Sequence, residues 1–376
     1  MKPTMPRVDW VRVMAFRTRR HHLHRRAPKT AMLEVVAALC GMQAQVMSSV
    51  GLAMCARIEG LTPADVRDAL WKRRRLVKTW AMRGTLHVLH ADDYVRWQRA
   101  LGAYAHHTKP GWFQRCGLAP QELDVIVAAI GRALGRRLLT RDQLADAVAR
   151  VVGTSELGDI LRQGWGWMLK PAAFHGQLCF GPSMGANVRF ARPDVWLRRA
   201  PRPESRGGWI DLTRRFLAAY GPATRVDYSR WSGAPLAHVD ETLRSLGAAV
   251  TEISLAGAKA WVLTKDVAEL VAAEPSGAVR LLPAFDQYVI AASPHVHNLL
   301  SGGHRKDIFR PQGWISPVLM VDGRIDGVWS YQRNGRRLSV KIRPFVRMTR
   351  QVWDAAEGEA QRLAKFLDGE LDLVRE

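Results

Sequence analysis

Cysteine is scarce in this chain of 376 residues, and the four that occur lie far apart, at Cys40, Cys55, Cys116 and Cys179. No two of them stand at the spacing of a zinc finger or of a redox-active pair. This pattern argues against both kinds of site. It favours reduced thiols, as in a cytosolic protein.

Motifs for cofactors and metals are also missing. The sequence contains no glycine-rich loop of the kind that cradles phosphates and no HExxH motif, so we expect neither a cofactor nor a metal. The basic run 17–26 (RTRRHHLHRR) contains His21, His22 and His24 without a neighbouring acid or cysteine. It is either a metal site or, as we prefer, a solvated basic segment. It is not an ordinary secretory signal, because no apolar stretch follows it.

Acidic residues are few relative to basic ones. The 34 Asp and Glu face 56 Lys and Arg, which gives a formal net charge of +22. Such an excess attracts polyanions at long range and can neutralise phosphates, so we expect a nucleic-acid partner, with duplex DNA first. The alternative is a basic housekeeping protein without a nucleic-acid role.

Charge is absent altogether from residues 35–56, a span long enough for a membrane helix. Gly41 breaks this stretch, and Gln43, Gln45, Ser48 and Ser49 interrupt it with polar groups. We therefore predict two helices of a core joined by a short polar elbow, and no membrane partner.

One pattern recurs three times along the chain: three helical segments followed by a β-hairpin. The hairpins are predicted at 76–89 with a turn at Arg83-Gly84, at 177–192, and at 249–264. Three helices and a hairpin are typical of a winged helix, whose third helix can enter the major groove of DNA.

After about residue 275 the pattern changes to strands with glycine-bearing turns, including a hairpin signal at Asp322-Gly323. A closing helix is predicted over 349–369. We predict an α+β fold with three tandem winged-helix modules and a small C-terminal antiparallel β-barrel. The predicted boundaries are 1–110, 111–195, 196–275 with a linker at 196–210, and 276–376.

Several residues are candidates for DNA contact. Lys72, Arg73 and Arg74 close the third helix of the first module, and Arg324 lies beside the hairpin turn; Arg83, Thr85 and His87 alternate along the first hairpin, so we expect them on one side of it. The alternatives are a solvated helix end, an exposed strand face and an exposed turn.

Gln43 and Gln45 stand out in the segment GMQAQ, between two apolar helices. Two residues apart, they share no helix face, and they point one way only where the backbone is extended or bent. Either both amides tie the backbone of the elbow together, or they form a site. Asp286 is likewise either a general base or, as we prefer, the anchor of a turn.

The chain resembles the AlkZ/YcaQ-type family of winged-helix DNA glycosylases over nearly its whole length. The residues that carry this resemblance are GMQAQ (41–45), RLVKTWAMRGTLHVLHADD (75–93), YGPAT (220–224) and LLPAFDQYV (281–289). The resemblance implies three winged helices and a C-terminal barrel arranged around DNA.

The resemblance also implies a catalytic motif. Gln43-Ala44-Gln45 matches the Gln–apolar–Gln pattern of the AlkZ-like branch, whereas the YcaQ-like branch has Asp at the third position. This implies a monofunctional glycosylase for cationic N-alkylated purines, with interstrand crosslinks at N7 of guanine as further substrates. We assign Gln45 to placing the water and Gln43 to supporting it or the developing cation.

We expect the enzyme to act as a monomer on duplex DNA with alkylated or crosslinked purines, in the cytoplasm at the nucleoid. A non-enzymatic winged-helix regulator is the main alternative, because the fold pattern alone also serves transcription factors. An RNA-binding protein is a third reading, and it would prefer single strands.

Overall fold

The structure is a computed structural model that describes residues 6–103, 107, 109–116, 119–163, 168–199, 205–300 and 302–376. The thiol of Cys116 lies outside the described side chains, and the other three cysteines are buried and belong to no disulfide among the described residues.

The described helices alternate with strands along the whole chain, which confirms the α+β class. The helices are α1 (Trp10–Arg20), α2 (Met32–Ala38), α3 (Met47–Cys55), α4 (Pro63–Arg67), α5 (Ala91–Ala103), α6 (Pro110–Cys116), α7 (Pro120–Leu134), α8 (Arg141–Val152), α9 (Glu156–Gln163), α10 (Leu169–Phe174), α11 (Pro193–Leu197), α12 (Ser205–Tyr220), α13 (Arg225–Ser232), α14 (Leu236–Leu246), α15 (Val267–Val271), α16 (Gln287–Ala292), α17 (Val296–Leu299), α18 (Arg305–Ile308) and α19 (Arg350–Phe366).

The described strands form three sheets. They are β1 (Arg7–Val8), β2 (Met42–Gln43), β3 (Leu76–Trp80), β4 (Leu86–His90), β5 (Leu139–Thr140), β6 (Cys179–Met184), β7 (Asn187–Ala191), β8 (Val250–Leu255), β9 (Ala258–Leu263), β10 (Val279–Leu282), β11 (Val318–Val321), β12 (Arg324–Asn334), β13 (Arg337–Pro344) and β14 (Glu370–Arg375).

Local sequence signals account for many of these boundaries. The Thr140 hydroxyl accepts from the Gln143 N–H at 3.3 Å and the Gln143 side chain accepts from the Thr140 N–H at 3.0 Å, which is a capping box at the start of α8. Gly153 then ends the helix with φ of 84°, a conformation that glycine adopts without steric cost.

The chain forms two compact units that are not contiguous in sequence. The first contains the described residues within 1–66, 213–228 and 243–376, and the second those within 67–212 and 229–242. The predicted module boundaries at 110, 195 and 275 stay a prediction. The linker predicted at 196–210 is partly helical, because α11 ends at Leu197 and α12 begins at Ser205.

The second unit carries two of the three predicted hairpins. β3 pairs antiparallel with β4 and β6 with β7, and the order β4-β3-β6-β7-β5 joins them. Phe180 and Phe190 of the second hairpin pack into one apolar core with Ile130 of α7 and Leu144 of α8. Both hairpin predictions are confirmed.

In the first unit, α1 is the central helix. Val13 and Phe16 pack with Ile253 and Val262 of the third hairpin, β8–β9, which is confirmed as predicted. Met14, on another face of α1, packs in a separate core with residues of the C-terminal sheet. The predicted solvated basic segment is therefore wrong for its first residues, because they belong to a helix buried on two faces.

The C-terminal sheet has the order β10-β11-β12-β13-β14. The turn at Asp322-Gly323 joins β11 and β12 as predicted, with φ of 49° and 82°. The predicted closed antiparallel barrel is not found, because β14 runs parallel to β13 and no pairing joins β10 to β14 among the described residues. The predicted closing helix, α19, connects β13 to β14 and contacts both outer strands, so a helix covers the sheet in place of closure.

Among the described residues, no helix has the length and apolar character needed to cross a membrane. The uncharged stretch 35–56 folds as α2, an extended elbow and α3.

Candidate functional site

The elbow between α2 and α3 begins with a tight helix end. The Gly41 N–H donates to the Val36 carbonyl at 2.9 Å and the Cys40 N–H donates to the Ala37 carbonyl at 3.1 Å. Cys40 and Gly41 both have positive φ, at 56° and 91°. These features define a Schellman-type end, in which Cys40 occupies the left-handed position that usually holds glycine.

Tyr220 fastens this helix end from α12. Its hydroxyl donates to the Leu39 carbonyl at 2.8 Å, and its ring is 1% exposed. The bond satisfies one of the carbonyls that every helix leaves unpaired at its C-terminus. The backbone that leads into Gln43 is thereby held by a side chain far away in sequence.

The two glutamines lie in different environments. Gln43 ends the short strand β2 and is buried at 8% exposure, whereas Gln45 lies at a bend after the strand and is exposed. Ala44 between them is completely buried. The predicted extended or bent segment is confirmed, and it presents one amide to solvent with the other beneath the surface.

The helix that follows the glutamines is held in place by close packing. Gly51 of α3 lies against the ring of Phe366 of α19, such that a Cβ on Gly51 would be 3.2 Å from the ring. The two helices on either side of Gln43 and Gln45 are therefore both tied to distant parts of the first unit.

His21, Arg57 and Asp286 are buried polar side chains in the first unit, and we call them the buried polar layer. The ring of His21 packs edge-on against Tyr220 and Tyr288, at 4.9 and 5.4 Å between centroids. Burial, together with the charges of Arg57 and Arg17, lowers the pKa of His21 well below its usual value. His21 is a neutral core ring, and no group of three metal-binding side chains occurs among the described residues.

Asp286 is part of this layer and is paired on both oxygens. The Arg57 guanidinium donates to them at 2.7 and 2.8 Å, and both side chains are completely buried. Asp286 also caps α16 by accepting from the Tyr288 N–H at 2.9 Å. Our preferred interpretation of Asp286 as a turn anchor is confirmed.

The YGPAT segment is held by two further contacts. The buried Arg17 guanidinium donates to the Pro222 carbonyl at 2.8 Å. The Thr224 N–H donates to the Asp227 carboxylate at 2.9 Å, and that carboxylate pairs with His295 at 2.8 Å. Burial raises the pKa of Asp227, but hydrogen bonds from His295 and Thr224 outweigh this, so the net pKa is lowered.

The three basic residues predicted to contact DNA at the end of the third helix, Lys72, Arg73 and Arg74, lie in different environments. Lys72 is exposed, and Arg73 is exposed but paired with Asp68. Arg74 is half-buried, with its guanidinium 4.0 Å from the Trp196 ring centroid and donating to the Trp196 carbonyl at 3.1 Å. Lys72 and Arg73 can meet a phosphate, while Arg74 attaches α11 to this helix end.

Arg83, Thr85 and His87 were predicted to lie on one face of the first hairpin, but the structure places them in different environments. Arg83 is exposed at the turn, with φ of 58°, and donates to the Trp231 carbonyl. Thr85 is half-buried and donates to the Met82 carbonyl at 3.0 Å. His87 is buried at 1% exposure.

His87 therefore corrects our prediction of an exposed strand face. Burial, with the charge of Arg83, lowers its pKa to about 3, so its ring is neutral and faces the core. The alternation fails because Arg83 belongs to a turn with left-handed backbone, which breaks the two-residue period before the strand begins.

Arg324 begins β12 directly after the turn. Its side chain is 48% exposed and lies 3.6 Å from Asp326. Its exposure fits both the predicted DNA contact and the alternative of an exposed turn, so the contact stays a prediction.

Sequence reasoning missed the residues that support the elbow, above all Tyr220 and Arg17. The only signal for Tyr220 was its place in YGPAT, and Arg17 was hidden within a basic run. Both act through contacts with residues about 180 to 205 positions away in sequence.

Comparisons with known proteins agree with this architecture. A family model described as AlkZ-like DNA glycosylase matches residues 36–366, a range that includes both glutamines. The chain is 32% identical over 370 residues to an interstrand DNA cross-link repair glycosylase of Streptomyces sahachiroi, covering 96% of each chain. It is also similar to the solved structure of the DNA glycosylase AlkZ of the same organism, with a TM-score of 0.87, 32% identity, and coverage of 98% of this chain and 100% of that one.

Proposed function

The chain belongs to the AlkZ-like DNA glycosylase family, and on that premise we propose that it hydrolyses the N-glycosidic bond of cationic N-alkylated purines in duplex DNA. We include N7-guanine interstrand crosslinks among its substrates, since the similar protein of Streptomyces sahachiroi is named for crosslink repair. Family membership favours this enzyme over a non-enzymatic regulator or an RNA-binding protein.

The observation that carries the proposal is the elbow at 41–45, with Gln43 buried and Gln45 exposed. A buried amide keeps a fixed orientation because its neighbours restrict its rotamers. An exposed amide two residues away can reach a bound sugar. This arrangement supports Gln45 as the group that places the water and Gln43 as the group that supports it from beneath.

The proposed reaction needs no strong base. An N7-alkylguanine is positively charged, so when the bond from C1′ of the sugar to N9 breaks, its electron pair neutralises the leaving base. Water adds to C1′ and loses its proton to solvent. Amide carbonyl oxygens can orient this water and stabilise the oxocarbenium-like sugar through their dipoles, which are fixed before the reaction starts.

We further propose that each hairpin, β3–β4, β6–β7 and β8–β9, is the wing of one winged helix. Lys72, Arg73, Arg83 and Arg324 are exposed side chains suited to phosphates. Arg74, Thr85 and His87 would act as supports, since their side chains are half-buried or buried. The enzyme would act as a monomer on nucleoid DNA in the cytoplasm, without a cofactor.

The proposal is tested by incubating the protein with duplex DNA that carries N7-methylguanine, or a nitrogen-mustard crosslink, and measuring abasic sites after alkaline cleavage. We expect Gln45→Ala to lower the rate about 10²-fold or more, the usual effect of removing one preorganised polar group. Its affinity for DNA should stay unchanged.

Gln351→Ala is the matched control, because Gln351 is exposed on α19 and the chemical change is the same. Base release at the wild-type rate by both Gln43→Ala and Gln45→Ala would overturn the assignment of the glutamines. Absence of release by the wild-type protein on both substrates would overturn the proposed substrate class.

A further inference from the structure

A cavity lies on the C-terminal sheet, within the first unit. It has a volume of about 520 Å³ and is lined by α18, the loop after it and the strands β12 and β13, with Lys306, Arg310, Trp314, Lys341 and Arg343 among its residues. This volume is in the range of small-ligand sites, roughly 300–1,000 Å³. None of its lining residues comes from the elbow at 41–45.

The wall of this cavity includes Trp314, whose side chain is 43% exposed. The loop that carries it is tightly closed, since the Arg310 N–H donates to the Trp314 carbonyl and the Ser316 N–H to the Ile308 carbonyl, both at 2.9 Å. Phe285 packs edge-on against the indole, 5.1 Å between ring centroids. The backbone hydrogen bonds of the loop and the packing of Phe285 therefore fix the position of the exposed indole.

Backbone strain accompanies this arrangement. Phe285 has φ of 58° and Gln312, in the loop, has φ of 60°. The left-handed conformation costs about 1–2 kcal/mol for residues other than glycine, and bulky residues are rarely found in it. These two left-handed residues lie in the segments that carry the ring of Phe285 and the indole of Trp314, so the protein keeps a costly backbone geometry at this cavity.

Four cationic side chains line the cavity together with Trp314, and two of them are available. Arg343 pairs with Asp307 at 2.6 Å, and Lys341 pairs with Glu376. Lys306 and Arg310 are exposed, and within the described part of the chain neither side chain forms an ion pair. Lys306 lies on α18 and Arg310 in the loop after it, four residues further along, and both line the cavity with Trp314.

From this geometry we propose that the cavity binds an unpaired nucleotide of single-stranded DNA, with the base stacked on Trp314 and its phosphates on Lys306 and Arg310. Aromatic faces with adjacent cations are how proteins hold single strands. A paired base is excluded, since both of its faces are covered by neighbours in the duplex. The choice of DNA rests on the family and the proposed function, whereas the site itself requires neither glutamine.

The test measures the affinity of the full chain for a short fluorescently labelled oligothymidylate and for a blunt undamaged duplex, by fluorescence anisotropy at low salt. We expect Trp314→Ala to weaken binding of the oligothymidylate about tenfold and to leave duplex binding within about twofold. Trp314→Phe keeps an aromatic face and should retain most of the affinity. Thermal unfolding followed by circular dichroism verifies that each variant is folded.

The matched control is Trp353→Ala, because Trp353 is a half-buried tryptophan of the same unit, on α19. We expect it to bind the oligothymidylate like the wild type. The double change Lys306→Ala and Arg310→Ala should lower the slope of log affinity against log salt by about 1.4, or about 0.7 for each lost phosphate contact on a single strand.

Three results would overturn the proposal. The first is undiminished binding of oligothymidylate by Trp314→Ala, and the second is displacement of the labelled oligonucleotide by inorganic phosphate as effectively as by unlabelled oligothymidylate. The third is tighter binding of oligouridylate than of oligothymidylate. A separate readout distinguishes this site from the glycosylase site. Release of N7-methylguanine should be retained in Trp314→Ala and lost in Gln45→Ala. Binding of oligothymidylate should be weakened in Trp314→Ala and retained in Gln45→Ala.

Discussion

Among single residues, the pair Gln43 and Gln45 allows a direct test of the chemical role of the exposed amide. Gln45→Asp places a carboxylate where the YcaQ-like branch of the family has one. A carboxylate can also orient water and stabilise a cationic sugar. We expect this variant to release N7-methylguanine at least tenfold faster than Gln45→Ala, as measured by single-turnover cleavage at abasic sites. Equal rates for the two variants would contradict a polar role at this position.

Tyr220 is a positioning residue that acts through the Leu39 carbonyl, 2.8 Å from its hydroxyl. Tyr220→Phe removes this hydrogen bond and leaves the carbonyl buried without its partner, a loss of about 1–3 kcal/mol. Because the carbonyl belongs to the backbone before Gln43, we expect kcat to fall about tenfold with little change in KM.

A purely structural role for the hydroxyl would lower stability and leave kcat per folded molecule unchanged. Steady-state kinetics of base release, corrected for the folded fraction, therefore decides between the two roles. Phe216→Leu is a suitable control, because Phe216 stacks on Tyr220 at 5.3 Å without contributing the hydroxyl.

The buried pair Arg57–Asp286 is expected to matter for stability and not for chemistry. Asp286→Ala leaves the Arg57 charge buried without its carboxylate, which costs about 3–5 kcal/mol. The measurement is the free energy of unfolding in urea. Asp354→Ala removes the exposed partner of Arg350 and should change stability by less than about 1 kcal/mol. Equal effects of the two variants would contradict the burial argument.

At the level of secondary-structure elements, the end of α1 makes the fold sensitive to pH through His21. Its pKa is lowered in the folded state from the ordinary value of 6.5, so the unfolded chain binds the proton more readily. Stability from this group is therefore present above pH 6.5 and is lost as the pH falls below it.

Between pH 7 and pH 5 we expect His21 to account for a loss of about 2 kcal/mol in the free energy of unfolding. His21→Phe keeps an aromatic ring between Tyr220 and Tyr288 and removes the titration. Urea unfolding at both pH values should show a smaller loss in this variant than in the wild type. An equal loss in both proteins would show that His21 does not titrate differently on unfolding.

For the whole molecule, the net charge of +22 dominates the expected affinity for DNA. Each neutralised phosphate of a duplex contributes about 0.9 to the slope of log affinity against log salt. With roughly six contacts, affinity should fall about 10³-fold between 50 and 200 mM salt. Lys72→Ala should reduce the slope by about 0.9, while Gln45→Ala should leave it unchanged. Anisotropy titrations over a salt series test this, and a flat response would contradict the charge argument.

Much of the secondary structure could be predicted from the sequence, because its signals act over a few residues. The turns at Arg83-Gly84 and Asp322-Gly323 and the break at Gly41 are set by residues next to one another, and each is found where it was predicted. The Gln–apolar–Gln segment was also recognised, because its polar residues interrupt an otherwise apolar stretch.

The sequence by itself determined the α+β class, the three hairpins, the elbow that carries the two glutamines and the attraction to polyanions. Only the tertiary structure decided that Gln43 is buried while Gln45 is exposed, that His87 faces the core, that Asp286 is held by Arg57, and that the C-terminal sheet stays open. These outcomes depend on which side chains meet across the fold. Burial and pairing are set by contacts between residues hundreds of positions apart, such as Arg57 with Asp286, and no local pattern encodes them.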